Sequence, residues 1–183
     1  PGLVAAGADL KRIYFVQGTR QDGEMLPFDP ARDLVALTEA AARLGDIALV
    51  MVDPVVSAVT GDGNKNTEVR RALQPLVDIG AGLDCAVLGI SHFTKGSAGR
   101  DPTERVTGSV AFGAVARVVL VAAKVKQADG DRRIFARAKS NIGPDEGGFA
   151  YELTQEEVPE VAGLRAAAIR WGDALPGTAR DLL

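Results

Sequence analysis

The stretch IALVMVDPVVSAV, residues 47–59, decides the fold that we expect for this chain. Its first six side chains are all apolar, which is typical of a strand buried on both faces of a parallel sheet. Asp53 then stands directly before Pro54. A carboxylate held at the end of such a strand can bind Mg²⁺ and, through the metal, meet phosphate groups. The alternative interpretation is an Asp-Pro pair that only begins a turn.

Predicted helices alternate with predicted strands along most of the chain. Apolar residues at helical spacing predict helices at about 30–45 and 67–83, and Pro75 is expected to bend or divide the second one. A shorter helix is expected at 108–115. Apolar runs predict strands at 13–18, 47–52, 85–91 and 117–125. This alternation predicts an α/β fold with a largely parallel sheet flanked by helices.

The C-terminal third has a different pattern. The turn ADGD joins the strand at 117–125 to a strand at 132–140, so the two are predicted to form an antiparallel hairpin. GFAYEL, residues 148–153, is expected to be a further edge strand. We expect residues 1–154 to form one domain, and residues 155–183, with the weak helical pattern EVAGLRAAAIRW, to be a tail or the start of another module.

Composition and charge exclude several classes of protein. The 183 residues are 46% hydrophobic and 25% charged, enough for one substantial domain. The formal net charge of −3 gives no overall attraction to nucleic acid, so a DNA contact requires a local basic patch. The single cysteine, Cys85, excludes an internal disulfide and favours a reducing, cytoplasmic location. No apolar run reaches the roughly 20 residues of a membrane span, so no membrane partner is expected.

His92, the only histidine, ends the strand that follows the one carrying Asp53. Ligands of parallel sheets bind beyond the carboxyl ends of the strands, so we expect both residues at one edge. A polar side chain there can hydrogen-bond a γ-phosphate, although a lone histidine can also be purely structural. One histidine without a Cys/His cluster does not provide the nitrogen and sulfur ligands of a zinc hydrolase.

The remaining candidate residues are basic. The loop at 96–109 carries Arg100 and Arg105 and is a candidate DNA contact, or a solvated loop balanced by its own acids. Arg117 precedes the run VVLVAA and either caps the strand with its stem or reaches a neighbouring subunit's phosphates. Lys139, in KSNIG, lies at a strand end and is either solvated or part of the site.

Taken in order, the strand VMVDPVVSA, the SHFTK motif, the segment RVTGSVAFGAVAR and the KSNIG motif resemble one known family. It is the group of RecA-like P-loop ATPases of RepA-type hexameric replicative helicases, which includes phage and plasmid AAA-type ATPases. The resemblance runs from AAGADLKRIYFV to about Tyr151, most of the chain.

The resemblance implies roles for individual residues. Asp53 is similar to the Walker B acid that holds Mg²⁺, and His92 to the sensor that contacts the γ-phosphate or the attacking water. Arg117 resembles the arginine finger offered to the next protomer's nucleotide, and Lys139 a lysine directed at the same phosphates. The region facing the central channel and DNA includes Lys95, Arg100 and Arg105. The implied cofactors are ATP and Mg²⁺, and the implied partners are a homo-oligomeric ring, hexameric when intact, and single-stranded DNA.

One departure from the family is large. The phosphate-binding loop GxxxxGK[ST] does not occur in the sequence, and neither does the catalytic glutamate that follows it in the family. The chain also starts without a methionine, so we expect a fragment that lacks an upstream part. Two alternatives remain open: a RecA- or KaiC-like regulatory or assembly module that does not hydrolyse ATP, and an unrelated α/β domain that binds another small ligand at Asp53 and His92.

Overall fold

A computed structural model describes residues 1–59, 65–93, 105, 111–127, 130–158 and 161–183. The helices are α1 (Gly2–Ala5), α2 (Pro30–Leu44), α3 (Asn66–Leu83), α4 (Ala111–Val115) and α5 (Ala179–Leu182). The strands are β1 (Thr19–Gln21), β2 (Glu24–Leu26), β3 (Leu49–Val52), β4 (Ala86–Gly89), β5 (Val118–Gln127), β6 (Gly130–Ser140), β7 (Gly148–Glu157) and β8 (Arg165–Leu175). Two compact units divide the chain: Val16–Ala116, and Pro1–Phe15 together with Arg117–Leu183.

The unit Val16–Ala116 is built around a parallel pair of strands and α3. β3 pairs with β4 in parallel, with Leu49 opposite Ala86 and Val52 opposite Gly89. A buried cluster from α3, α4 and the segment after β3 forms the core of this unit: Ala58, Val69, Leu73, Leu76, Ala111 and Phe112. The predicted helices and strands of this region are confirmed to within a few residues at their ends, because each has a strong apolar period of its own.

Helix α3 is continuous through Pro75, so the prediction that proline divides it is wrong. The ring removes one backbone donor and crowds the preceding turn. The helix continues because residues before and after the proline, Leu73 and Leu76, are buried in the same core. The buried stripe also includes Ile79, whereas Val77 on the same helix is 47% exposed.

The prediction of a largely parallel sheet is wrong. Among the described strands only β3 and β4 pair in parallel, and the larger sheet, in the order β5-β6-β7-β8, is antiparallel throughout. The physical reason is the length of the connections, since a parallel crossover needs a dozen or more residues. Only residues 128–129, 141–147 and 158–164 connect these four strands. The predicted antiparallel hairpin of β5 and β6 is confirmed.

Two local predictions of secondary structure are wrong. The first segment forms no strand, and the second is a strand because it pairs with β7. The residues at 13–18 form no strand, and among the described strands β1 and β2 pair only with each other. The weak helix expected in the tail is instead β8, which pairs with β7 from Gly148 to Glu157. The boundary that we expected between residues 154 and 155 falls inside β7, so the strand pairing continues across it.

The unit formed by Pro1–Phe15 and Arg117–Leu183 places its core on one face of the antiparallel sheet. Ile134 and Ala136 of β6 are buried there and pack with Ala179 of α5. Thr178 caps α5: its hydroxyl accepts from the backbone N–H of Asp181, and the Asp181 carboxylate accepts from the backbone N–H of Thr178. The Thr178 hydroxyl also donates to the Asp181 carboxylate at 2.6 Å, and this bond, together with the one from the backbone N–H of Thr178, lowers the pKa of Asp181. No described helix is long and apolar enough to cross a membrane.

The N-terminus of α2 is held by a buried carboxylate. Asp33 is 5% exposed and accepts from the Arg32 guanidinium at 2.6 Å and from the backbone N–H of Asp29 at 2.8 Å. Arg32 also donates to the carbonyl of Pro27 at 2.8 Å, which ties the helix to the segment after β2. The hydrogen bond from Arg32 lowers the pKa of Asp33 from 3.8 to about 2.

We expect Val69→Ala to lower the free energy of unfolding by about 2 kcal/mol, because the side chain is 0% exposed and its removal leaves a cavity. The matched control is Val77→Ala on the same helix, where the lost contact is small and alanine is the better helix former, so the change stays within about 0.5 kcal/mol. Urea unfolding measures both. Equal losses in the two variants would contradict the described packing of α3.

We expect Asp33→Asn to lower stability in a pH-dependent way. The folded-state pKa lies below the ordinary 3.8, so the ionised carboxylate stabilises the fold above pH 3.8 and this contribution is lost as the pH falls toward about 2. The stability difference between wild type and variant should therefore shrink over that range in urea unfolding. Glu39→Gln, an exposed change on the same helix, is the control and should change the free energy of unfolding at pH 7 by less than about 0.5 kcal/mol.

Candidate functional site

The candidate site lies where β3 and β4 end. Beyond the last paired residues the backbone ladder continues: the N–H of Ile90 donates to the carbonyl of Val52 at 2.9 Å, and the N–H of Val55 donates to the carbonyl of Ile90 at 2.7 Å. The chain leaving β3 is therefore bonded to the chain leaving β4. We call the residues that follow the two strands, Asp53 and the segment Ser91–Phe93, the carboxyl edge.

Asp53 is exposed and follows directly on β3. The next turn of chain is anchored, because Val55–Ala58 forms a short 3-10 helix whose Ala58 is buried in the core. Gly89 of β4 makes this approach possible, since a Cβ there would lie 2.9 Å from a methyl group of Val55. The backbone on both sides of Asp53 is thus fixed, while its carboxylate is open to a ligand.

His92 is exposed and lies at the carboxyl edge, as predicted from the order of the strands. The preceding side chain, Ser91, has a buried hydroxyl with no hydrogen-bond partner among the described residues. A buried hydroxyl without a partner is costly and uncommon in proteins. The edge therefore offers a hydroxyl group able to donate a hydrogen bond, next to the histidine.

Arg105 joins this edge through an aromatic contact. Its guanidinium carbon lies 4.1 Å from the ring centroid of Phe93, a cation–π arrangement. Its Nε is buried and finds no hydrogen-bond partner in the described part of the chain. This contact brings a positive charge beside the residue that follows His92, whereas the sequence suggested for Arg105 either a DNA contact or a place in a solvated loop. The other loop residues proposed there, Lys95 and Arg100, lie outside the described residues.

Arg117 and Lys139 belong to the other unit, where they share one end of the β5–β6 hairpin. Arg117 is exposed immediately before β5, and its carbonyl accepts from the backbone N–H of Asn141 at 3.1 Å. Lys139 is half-buried near the end of β6, opposite Val119. The structure therefore brings these two cations to the same end of the hairpin, one strand apart.

Sequence reasoning missed the parts played by Ser91 and Phe93. Both lie within the SHFTK motif, in which the sequence indicates roles only for the histidine and the lysine. The available signal was their position, because polar and aromatic side chains directly after an apolar strand face the region where ligands bind in parallel sheets.

The donors and acceptors at the carboxyl edge fit a metal–phosphate group in part. Asp53 supplies the carboxylate oxygen that Mg²⁺ prefers. The unpartnered Ser91 hydroxyl and the Arg105 guanidinium are hydrogen-bond donors of the kind that phosphate oxygens accept. Among the described residues no group of three or more His, Cys, Asp or Glu could hold a metal on its own. A metal here would therefore rely on phosphate oxygens and water for its remaining ligands.

Comparison with known proteins identifies a family for this chain. Residues 3–98, just over half of the chain, match the family model described as AAA domain. The matched region contains β3, β4, Asp53 and His92. No curated protein matches the sequence. The chain therefore belongs to the AAA domain family, whose members are ATPase-type domains.

Proposed function

We propose that this chain is the distal part of a RecA-like ATPase domain of the RepA-type helicase group, which hydrolyses ATP in the service of DNA replication as a helicase or helicase loader. The observation that supports the proposal is the position of Asp53 and His92 just after two adjacent parallel strands. Membership of the AAA domain family supports nucleotide as the ligand.

The proposal gives a chemical role to Asp53, Ser91 and His92 of the carboxyl edge and to Arg105, which contacts this edge through Phe93. Asp53 holds Mg²⁺, which when bound offsets negative charge on the nucleotide phosphates. His92 hydrogen-bonds the γ-phosphate or orients the water that attacks it. The Ser91 hydroxyl and the Arg105 guanidinium donate to phosphate oxygens as their charge grows in the transition state. Because its guanidinium lies on Phe93, we assign Arg105 to the phosphates rather than to DNA.

Arg117 and Lys139 act on a neighbouring protomer's nucleotide. Their common position at one end of the β5–β6 hairpin supports a joint role, and the exposure of Arg117 leaves its guanidinium able to reach another subunit. A site completed by a neighbour requires a head-to-tail interface, which closes into a ring when the rotation permits. The proposed assembly is a homo-oligomeric ring, hexameric as in the family that the sequence resembles.

The phosphate-binding loop belongs, on this proposal, to a part of the protein outside these 183 residues, because no GxxxxGK[ST] occurs within them. The 183-residue chain alone should then bind ATP only weakly. Single-stranded DNA is the proposed partner, with Lys95 and Arg100 as contacts, and the cytoplasm is the proposed location.

We expect Asp53→Asn, made in the full-length protein, to lower Mg²⁺-dependent ATP hydrolysis by a factor of about 10² or more, because the metal loses its protein carboxylate. The fold should be unchanged, since Asp53 is exposed. Asp46→Asn is the matched control: it alters an exposed carboxylate just before β3, at the opposite end of the same strand. Normal turnover by Asp53→Asn would remove the ATPase proposal and favour a regulatory module.

We expect Arg117→Ala to be inactive alone and to regain activity when mixed with Asp53→Asn. In mixed rings about one quarter of the interfaces join an intact Asp53 to an intact Arg117, provided that the arginine acts between subunits. Steady-state ATPase assays across mixing ratios measure this. If the two inactive variants stay inactive in rings that demonstrably exchange subunits, Arg117 does not act in trans.

A further inference from the structure

The antiparallel sheet has two faces of different character. Side chains alternate between faces along each strand, so Ile134 and Ala136 point to the core while Phe135, between them, points away from it. The register places further aromatic side chains on the same outward side. We call these four residues the aromatic face: Phe135 of β6, Phe149 and Tyr151 of β7, and Trp171 of β8.

The four rings form one continuous group with Trp171 in contact with the other three. Its ring centroid lies 5.7 Å from that of Phe135, 6.3 Å from that of Phe149 and 5.9 Å from that of Tyr151. Trp171 is nevertheless 55% exposed and Phe149 48% exposed. Tilted and edge contacts between the rings hold them in place, and the exposed parts of the rings remain open to a ligand.

The outward side of the sheet is also positively charged. By strand alternation and register, its described residues include five cations and two carboxylates. The cations are Lys124, Lys126, Arg133, Arg137 and Arg165, and the carboxylates are Asp131 and Glu157. The whole sequence carries a formal net charge of −3, so this concentration of positive charge is local.

The cations lie close to the rings. Arg133 is directly opposite Tyr151 in the register, and Lys124 is opposite Arg133 on the other side. Lys124 is paired with Asp131, which lies on the same side of the sheet. The Arg137 guanidinium donates to the carbonyl of Pro144 at 2.6 Å, a neutral partner that leaves its charge uncompensated there. Aromatic rings are thus bordered by guanidinium groups on one face.

We propose that the aromatic face binds single-stranded nucleic acid, with two or three bases stacked on the rings and the backbone phosphates paired with Arg133, Arg137 and Lys126. Base–aromatic stacking beside a basic surface is the chemistry by which proteins bind single strands without reading sequence. The positive charge favours this ligand over an apolar partner or a second copy of the chain, because two copies of a basic face repel each other.

The inference identifies a surface of this chain that binds the single-stranded DNA named in the proposed function. In that respect it rests on the proposed function. None of its residues belongs to the proposed nucleotide chemistry, and binding requires neither ATP nor Mg²⁺. The Asp53→Asn variant should therefore bind single strands as the wild type does. Loss of ATP hydrolysis and loss of strand binding are separate results.

The chain contains a single tryptophan, so its fluorescence reports on this face alone. Titrating the 183-residue chain with oligo(dT) of about 12 nucleotides, without ATP or Mg²⁺, should quench Trp171 emission, because a stacked base lies against the indole. If about three phosphates are paired, a plot of the logarithm of the binding constant against the logarithm of the salt concentration should have a slope of about −2. A duplex of the same length should quench less, since its bases are not free to stack.

Variants complete the test by anisotropy of a labelled oligo(dT). Trp171→Ala and Phe149→Ala should each raise the Kd about tenfold, and Arg133→Gln should weaken binding and reduce the salt slope by about 0.7. The control is Met51→Ala, which removes an exposed apolar side chain from β3 and should leave the Kd unchanged. Circular dichroism checks that each variant is folded.

Three results would overturn the proposal. The first is unchanged Trp171 emission, either because oligo(dT) does not bind at low salt or because it binds without quenching the tryptophan. The second is an unaltered Kd in both folded aromatic variants. The third is a Trp171 signal that depends on protein concentration without oligonucleotide, together with a doubled mass by light scattering, which would identify the face as an interface between copies.

Discussion

The parallel pairing of β3 with β4 is the constraint on which the candidate site depends. Two backbone bonds that involve Ile90 extend the ladder past the strands, so Asp53 and His92 leave the pair at the same edge. Two close approaches permit this geometry: a Cβ at Gly80 of α3 would lie 2.9 Å from a Val87 methyl group, and one at Gly89 equally close to Val55. A one-residue slip would turn every strand side chain to the other face and separate the carboxylate from its neighbours.

In the other unit, the alternation of side chains along the strands decides which face of the antiparallel sheet each residue lies on. An antiparallel strand sends successive residues to opposite faces: Ile134 and Ala136 of β6 are buried on one face, while the aromatic rings and their neighbouring cations lie on the other. A sheet needs only one covered face to be stable, so the second is available for binding. The hairpin end that carries the exposed Arg117 and the half-buried Lys139 belongs to the same sheet, so a rigid scaffold holds both cations.

Several elements were predictable because their signals are local. The apolar periods of α2 and α3, the run before Asp53 and the short turn between β5 and β6 each lie within a few neighbouring residues. The position of His92 relative to Asp53 followed from one general rule about parallel strands. The contact of Arg105 with Phe93 was not predictable, because the two residues are far apart in the sequence and no pattern couples them. The buried Ser91 hydroxyl likewise depends on packing around it.

By itself the sequence determined where the main helices begin and end and which residues follow the two apolar strands, since backbone propensity and apolar spacing act over short distances. Only the tertiary structure decided what the C-terminal region became. RAAAIRW contains good helix formers, yet it is part of β8, because β7 offers a row of backbone donors and acceptors that outweighs local preference. That same pairing carries Trp171 to the rings of β6 and β7, a meeting of residues distant in the chain that no local pattern encodes.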